Sequence, residues 1–176
     1  MITDELLQTI LKQYRLNWNG VHGLSHWARV LENGRKLAAK TGARLEVVEL
    51  FAVLHDSKRP HEGIDYTHGR LGADYAASLR GSLFQLSDSD FALLYTACLE
   101  HTNGQIDGDV TLQTCWDADR LDLGRVGITP DPKRLCTTTG RLPETIAWGE
   151  KRSRVRAVPA LVFEEWGIRL DGSSPA

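Results

Sequence analysis

Apolar residues spaced three and four apart recur along most of the 176-residue chain, whereas the strict alternation typical of strands is scarce. This spacing marks one face of an α-helix, and it predicts an all-α fold, a single-domain helical bundle with short connections. The predicted helices cover residues 3–14, 24–40, 45–57, 68–80, 88–102, 111–123 and 143–166, the last one broken by Pro159. Residues 58–67 are predicted to form a polar loop, and residues 171–176 a frayed tail.

The composition is that of a soluble globular protein, with a net charge of −2, 25% charged residues and 41% hydrophobic residues. No long basic run is present, so neither nucleic acid nor a membrane is an expected partner. The N-terminal segment reads as an amphipathic helix, not a signal peptide, and no segment is apolar enough to span a bilayer. Cys98, Cys115 and Cys136 lack CxxC spacing, which argues against disulfides and a thiolate zinc site. We therefore expect a cytoplasmic protein.

Four of the six histidines lie on the apolar faces of different predicted helices. These are His26, His55, His68 and His101. A single histidine in such a place is more often a hydrogen-bonded core residue than a ligand. Four of them together are better explained by one shared polar centre, because helical bundles build metal sites from side chains on facing helices.

The sixth predicted helix adds a carboxylate to this group. Leu112, Trp116 and Asp119 share one stripe, spaced i, i+4 and i+7. Asp117 falls on the polar face of the same helix and is predicted to point outwards. A carboxylate on a core stripe is costly unless it is paired or bound to a metal, which places Asp119 with the histidines. Nitrogen and carboxylate ligands suit a divalent transition metal such as Fe, Mn, Co, Ni or Zn.

An ordered set of segments resembles the HD superfamily of metal-dependent phosphohydrolases. The matching segments are HWARV around His26, LFAVLHDSKR around the pair His55-Asp56, and WDADRLD around Asp119. The resemblance covers about residues 20–125. It implies one HD-type helical domain over the whole chain, 1–176, with a C-terminal helical extension at about 130–170.

The resemblance also implies the roles of the metal ligands. The first ion would be held by His26, His55, Asp56 and Asp119. His68 and His101 look like the two extra histidines of the binuclear subgroup, and they would hold a second ion with Asp56 as the bridge. The ions would activate a water to attack phosphorus in a nucleotide or other small phosphorylated metabolite. Asp56, His68 and His101 are therefore the predicted catalytic residues; if one ion binds, the two histidines become acid-base or phosphate-contacting groups.

Four further residues are candidates for binding the substrate. Lys58 and Arg59 closely follow the His-Asp pair and are predicted to contact phosphate. The alternative is a solvated loop with cations favoured at a helix C-terminus. Arg120 follows the predicted ligand and either leans over the site or lies on the surface. His22, in the loop before the second helix, either contacts the substrate or has no function.

Two other functions share this ligand set. One is a mixed-valence di-iron oxygenase of the HD type, which the identity and redox behaviour of the metal would distinguish. The other is a non-catalytic HD module that senses a nucleotide. The expected partner is a small phosphorylated substrate, and a homodimer is compatible with the sequence.

Overall fold

A computed structural model describes residues 2–170, so the prediction for 171–176 lies outside the described residues. Within these residues the chain forms eight α-helices, with two 3-10 helices at Leu123–Val126 and Pro132–Arg134 in the long connection between the sixth and seventh. The α-helices are α1 (Asp4–Gln13), α2 (Leu24–Thr41), α3 (Leu45–Leu54), α4 (His68–Leu79), α5 (Asp88–Glu100), α6 (Val110–Arg120), α7 (Pro143–Arg154) and α8 (Leu161–Glu164). Within 2–170 the extended pairing is limited to one isolated bridge between Arg80 and Phe84, which confirms the all-α prediction.

Helix α3 forms the centre of the bundle. Every residue from Val47 to Leu54 is buried, as expected of a helix that is apolar on all sides. It packs against α2, α5 and α6, while α2 also packs against α6, and α4 lies mainly on α5. None of the helices in the described part of the chain is long and apolar enough to cross a membrane.

Local side chains fix where several helices begin. The hydroxyl of Thr3 accepts a hydrogen bond from the backbone N–H of Leu6 at the start of α1. Ser87 caps α5 in the same way, and the carboxylate of Asp109 caps α6. Such caps satisfy backbone donors that the first turn leaves free, which is why polar residues interrupt the apolar pattern there.

Helix α3 ends earlier than the predicted position 57, and the His-Asp pair lies in the turn that follows it. The backbone N–H of His55 still bonds to the carbonyl of Phe51 at 3.0 Å. The next bonds tighten to a spacing of three residues, from Ser57 to Leu54 at 3.2 Å and from Arg59 to Asp56 at 3.0 Å. This tightened turn changes the direction of the chain immediately beneath the pair.

Two glycines bring α4 close to its neighbours. A Cβ atom on Gly72 would lie 2.6 Å from the carbonyl oxygen of His55, and one on Gly69 would lie 2.7 Å from that of Cys98. Because both obstacles are backbone atoms, any larger residue would push α4 away. The close approach brings His68, at the N-terminus of α4, next to the ends of α3 and α5.

The predicted last helix is two helices, and the break begins four residues before Pro159. Helix α7 ends in a Schellman motif: Arg156 has a left-handed backbone with φ +49, its N–H bonds to Ser153 at 3.0 Å, and the N–H of Ala157 bonds to Arg152 at 3.0 Å. The chain then turns back towards α2.

Candidate metal centre

Five helices place six side chains around one buried point. They are His26 in the first turn of α2, His55 and Asp56 after α3, His68 at the start of α4, His101 after α5, and Asp119 in the last turn of α6. The imidazoles and Asp56 are buried, and the side chain of Asp119 is 13% exposed, towards a cavity. The structure therefore brings together all six residues predicted as ligands.

The first group of ligand atoms lies between α2, α3 and α6. The Nε2 atoms of His26 and His55 are 3.1 Å apart. Asp119 Oδ1 lies 3.5 Å from the first of these nitrogens and 3.9 Å from the second. Asp56 Oδ2 lies 3.5 Å and 3.6 Å from the same two atoms. Two nitrogens and two carboxylates thus point to one position.

The second group lies between the ends of α4 and α5. The Nε2 atoms of His68 and His101 are 3.0 Å apart, and Asp56 Oδ1 lies 3.3 Å and 3.8 Å from them. The two oxygens of Asp56 therefore face different histidine pairs. His55, Asp56 and His101 also offer ligand atoms within 4.8 Å of one another, so the two groups form one continuous cluster.

The hydrogen bonds at the back of the rings determine which nitrogens carry protons. Nδ1 of His55 donates to the carbonyl of Phe51 at 3.1 Å, and Nδ1 of His101 donates to that of Cys98 at 2.7 Å. Nδ1 of His68 likewise donates to the carbonyl of Asp65 at 2.9 Å. In the neutral ring the opposite nitrogen, Nε2, then presents a lone pair to the centre.

His26 has a carboxylate behind it instead of a carbonyl. Its Nδ1 donates to Asp122 Oδ2 at 2.7 Å. Arg29, which is 1% exposed, holds Asp122 from the other side through two bonds of 2.6 and 3.0 Å, and also donates to the carbonyl of Ala157 at 2.8 Å. This chain of contacts connects the break after α7 to a candidate ligand. A carboxylate behind a histidine orients the ring and raises its basicity as a ligand.

The charges at the centre are those of a site for a cation. Burial lowers the pKa of His55 to about 3 and that of His68 to about 4, so both rings are neutral at pH 7. Burial favours the neutral form of Asp56, but His55 and His26 outweigh it and hold its pKa well below the usual range. Burial also favours the neutral form of Asp119, but Arg125 and the histidines outweigh it and lower the pKa of this carboxyl.

The donor set fits a divalent metal. Asp56 Oδ1 and Asp119 Oδ1 are buried and find no hydrogen-bond partner among residues 2–170, although ionised oxygens in such places need one. Between His26 and His55 two Nε2 lone pairs face each other, and a cation between them would remove their repulsion. Four nitrogens and two carboxylates, with no thiolate, suit Fe, Mn, Co, Ni or Zn.

A cavity of about 690 Å³ opens onto this centre. Its inner end is lined by Asp56, His68, His101 and Asp119. The predicted substrate residues His22, Arg59 and Arg120 also line it. Lys58 does not: its Nζ lies 4.2 Å from the centre of the Tyr75 ring. Of these two adjacent cations, both predicted to contact phosphate, only Arg59 reaches the cavity.

The arginines of the cavity differ in how many donors they have free. Arg120 donates to the carbonyls of Arg134 and Gln105 and to the sulfur of Cys136, so its guanidinium holds the cavity wall. Arg59 donates to two carbonyls of the loop that follows it, and its Nη1 also donates to His68 Nε2 at 2.9 Å. Arg125 is 7% exposed and places Nη2 3.7 Å from Asp119 Oδ1.

The prediction that Asp117 points outwards is wrong. Its side chain is fully buried and accepts hydrogen bonds from the backbone N–H groups of Cys136 (2.7 Å) and Thr137 (2.8 Å) and from the hydroxyl of Thr137 (2.7 Å). The segment after the second 3-10 helix folds over this face of α6. Asp117 therefore anchors the cavity wall and stays away from the candidate centre.

Sequence reasoning missed the supporting layer of the site. Arg29 follows His26 by three residues and Asp122 follows Asp119 by three, so both share a helical face with a predicted ligand. That spacing was the one available indication. Glu62 was also missed: its carboxylate accepts a hydrogen bond from Nδ1 of His22 at the mouth of the cavity.

Comparison with solved structures finds a similar crystal structure, described as a predicted HD superfamily hydrolase from an uncultured Thermotogales bacterium. The two chains align with a TM-score of 0.61 and 27% sequence identity, over 93% of this chain and 91% of that one. No protein-family model matches the sequence. No curated protein matches it either. The two chains share one fold over nearly their whole length.

Proposed function

We propose that this chain, which has the HD-domain fold, is a metal-dependent phosphohydrolase acting on a small phosphorylated metabolite, a class that includes nucleotides. The observation that carries the proposal is the placement of Asp56. This buried carboxylate has two histidine Nε2 atoms in front of each of its oxygens. The hydrolase description of the similar structure supports the same reaction class.

Two ions are the occupancy that the ligand geometry favours. His26, His55 and Asp119 would hold one, His68 and His101 the other, and Asp56 would be shared by both. Bound divalent ions supply a water of lowered pKa and offset negative charge on the phosphoryl oxygens.

We assign the binding of the phosphoryl group to two arginines. Arg125 Nη2 lies 3.7 Å from Asp119 Oδ1, and this nitrogen makes no hydrogen bond within residues 2–170. Arg59 Nη1 lies 3.6 Å from Asp56 Oδ1 on the other side of the centre. A guanidinium on each flank offsets charge on a transferred phosphoryl group and orients it.

We assign the protonation of the leaving group to His22. Its Nδ1 bonds to the Glu62 carboxylate, which leaves Nε2 for the cavity. Burial lowers the pKa of His22, and the opposing effect of Asp56 and Glu62, which favour the charged ring, is smaller. The imidazolium form of His22 is therefore a stronger acid than usual. In the hydrolysis, a water oxygen forms the new bond to phosphorus, the bond to the leaving oxygen breaks, and His22 gives that oxygen a proton. The proton lost by the water passes to solvent, from which His22 is recharged.

The test combines metal analysis with a screen of phosphorylated compounds. Purified protein should contain one to two transition-metal ions per chain by mass spectrometry, and the Asp56→Ala variant should lose most of them. Lys58→Gln, two residues further along but outside the cavity, is the matched control and should keep its metal. Nucleotides, sugar phosphates and simple phosphate esters are then assayed with Mn, Co or Fe. Wild-type protein and Lys58→Gln should release phosphate from at least one of these compounds, and Asp56→Ala should not.

Three outcomes would overturn the proposal. Full metal occupancy in Asp56→Ala would contradict the ligand assignment. Bound iron that consumes oxygen, without phosphate release from any compound, would favour the di-iron oxygenase. Nucleotide binding without turnover under every metal would favour a sensing module.

A further inference from the structure

The cavity has a polar inner end and an aliphatic outer end. We infer that the leaving group of the substrate is an aliphatic alcohol of several carbons, an inference that rests on the proposed phosphohydrolase function. The outer wall comes from the loop before α4 and from the chain that follows α6. Its apolar residues are Ile64, Leu123, Val126, Ile128, Pro130 and Leu135.

Three of these side chains are exposed to water around the mouth. Ile64 is 82% exposed, Ile128 53% and Val126 44%. All three line the cavity that contains Asp56 and Asp119. Exposed aliphatic side chains grouped around one concavity are typical of a binding surface, since covering them removes apolar area from water.

The charged side chains that line the cavity indicate which end of the ligand lies at the inner end and which at the outer end. Arg59 and Arg125 flank the carboxylates at the inner end, so the phosphoryl group belongs there. At the outer rim Glu62 is hydrogen-bonded to His22, and the charges of the remaining pair, Arg134 and Asp131, cancel. The outer part of the ligand is therefore uncharged.

The lining also distinguishes an aliphatic group from a nucleobase. No Phe, Tyr or Trp lines the cavity within the described part of the chain. Nucleobases are commonly bound by stacking on aromatic rings, and the apolar side chains of this wall are Ile, Leu, Val and Pro. A volume of about 690 Å³ accepts an alkyl chain as well as the phosphoryl group.

A homologous series of n-alkyl phosphates from ethyl to octyl tests this inference. With Mn-loaded protein, kcat/KM should rise about fourfold for each added methylene until the chain outgrows the wall. Nucleoside monophosphates should be poorer substrates than hexyl phosphate. The matching alkylphosphonates, which are not hydrolysed, should show the same increase in affinity by calorimetry.

Ile128→Asn places a polar group on the wall at a position exposed enough to tolerate it, and should lower the ratio of octyl to ethyl kcat/KM at least about tenfold. Val155→Asn is the matched control, because Val155 is 74% exposed and lies outside the cavity. The Val155→Asn variant should leave the dependence of kcat/KM on alkyl chain length unchanged.

The inference and the proposed function fail in different ways. Equal kcat/KM along the series, or faster hydrolysis of nucleotides that Ile128→Asn does not affect, would overturn the aliphatic assignment and leave the phosphohydrolase standing. No phosphate release from any ester with any metal, together with no phosphonate binding, would overturn both.

Discussion

The imidazole of His26 shows how the site is held at the scale of single residues. A carboxylate behind the ring fixes its orientation and leaves one lone pair for the centre. Arg29 in turn neutralises that carboxylate in the core. His26 and Arg29, which both lie on α2, together offset the desolvation free energy of the buried Asp122 carboxylate.

The first prediction concerns Asp122. Asp122→Asn removes the charge behind His26, so the dissociation constant for the metal should rise about 10–100-fold. Calorimetric titration of metal-free protein with Mn²⁺ or Zn²⁺ measures the change. Asp107→Asn, at an exposed position away from the centre, is the control. Wild-type affinity in a folded Asp122→Asn protein, checked by circular dichroism, would contradict the positioning role.

The second prediction concerns the proton donor. His22→Asn should lower kcat about 10²–10⁴-fold on an alkyl phosphate, because the leaving oxygen then departs without a proton. An aryl phosphate, whose leaving group needs little protonation, should lose less than about tenfold. Metal content should stay at the wild-type level. His61→Asn, in the exposed part of the adjacent loop, is the control. Equal losses on both substrates would mean that His22 acts only in binding.

At the scale of elements, the site depends on how closely α4 approaches the turn after α3. The histidines of the second group sit at the start of α4 and the end of α5, so their separation is set by helix packing. The absence of a side chain at Gly72 permits this approach.

The third prediction follows from that contact. The added methyl of Gly72→Ala would meet the carbonyl oxygens of His55 and Leu54 at 2.6 and 2.8 Å. Moving α4 should cost about 1–3 kcal/mol of unfolding free energy and reduce bound metal towards one ion per chain. Urea unfolding and metal analysis measure the two effects. Ser78→Ala, on the exposed face of α4, should change neither. Full occupancy by two ions in the alanine variant would refute this account of the second group.

At the scale of the whole molecule, acidification should destabilise the metal-free protein. The pKa of His55 is about 3 and that of His68 about 4 in the folded chain, against about 6.5 in an unfolded chain. Between pH 6.5 and 4 the unfolded chain therefore binds protons that the folded chain does not. The free energy of unfolding should fall by up to about 1.4 kcal/mol per pH unit for each histidine.

Urea unfolding in the presence of a chelator at several pH values from 7.5 to 4.5 measures this fourth prediction. His68→Asn should show a shallower dependence, since it removes one of the two groups. His61→Ala should keep the wild-type slope, because His61 is exposed. A stability that stays constant or rises as the pH falls would contradict the prediction.

The helical pattern of the sequence determined the fold class, the extent of most helices, and the set of inward-facing histidines. Apolar spacing along one helix reports which side meets the core, and cap residues mark the ends, so these features need no knowledge of distant contacts. The six predicted ligands converge in the structure for this reason. Whether they bind metal stays a prediction.

Tertiary structure decided those features that depend on which distant segment of the chain packs over a helix or follows a turn. The face of α6 that carries Asp117 is polar in sequence, yet a later segment of chain covers it and supplies backbone donors for the carboxylate. Lys58 and Arg59 are neighbours with the same charge, and the tightened turn after α3 sends only Arg59 into the cavity. The periodicity of one helix cannot anticipate what distant chain packs against its other face, because that contact is set by the path of the whole molecule.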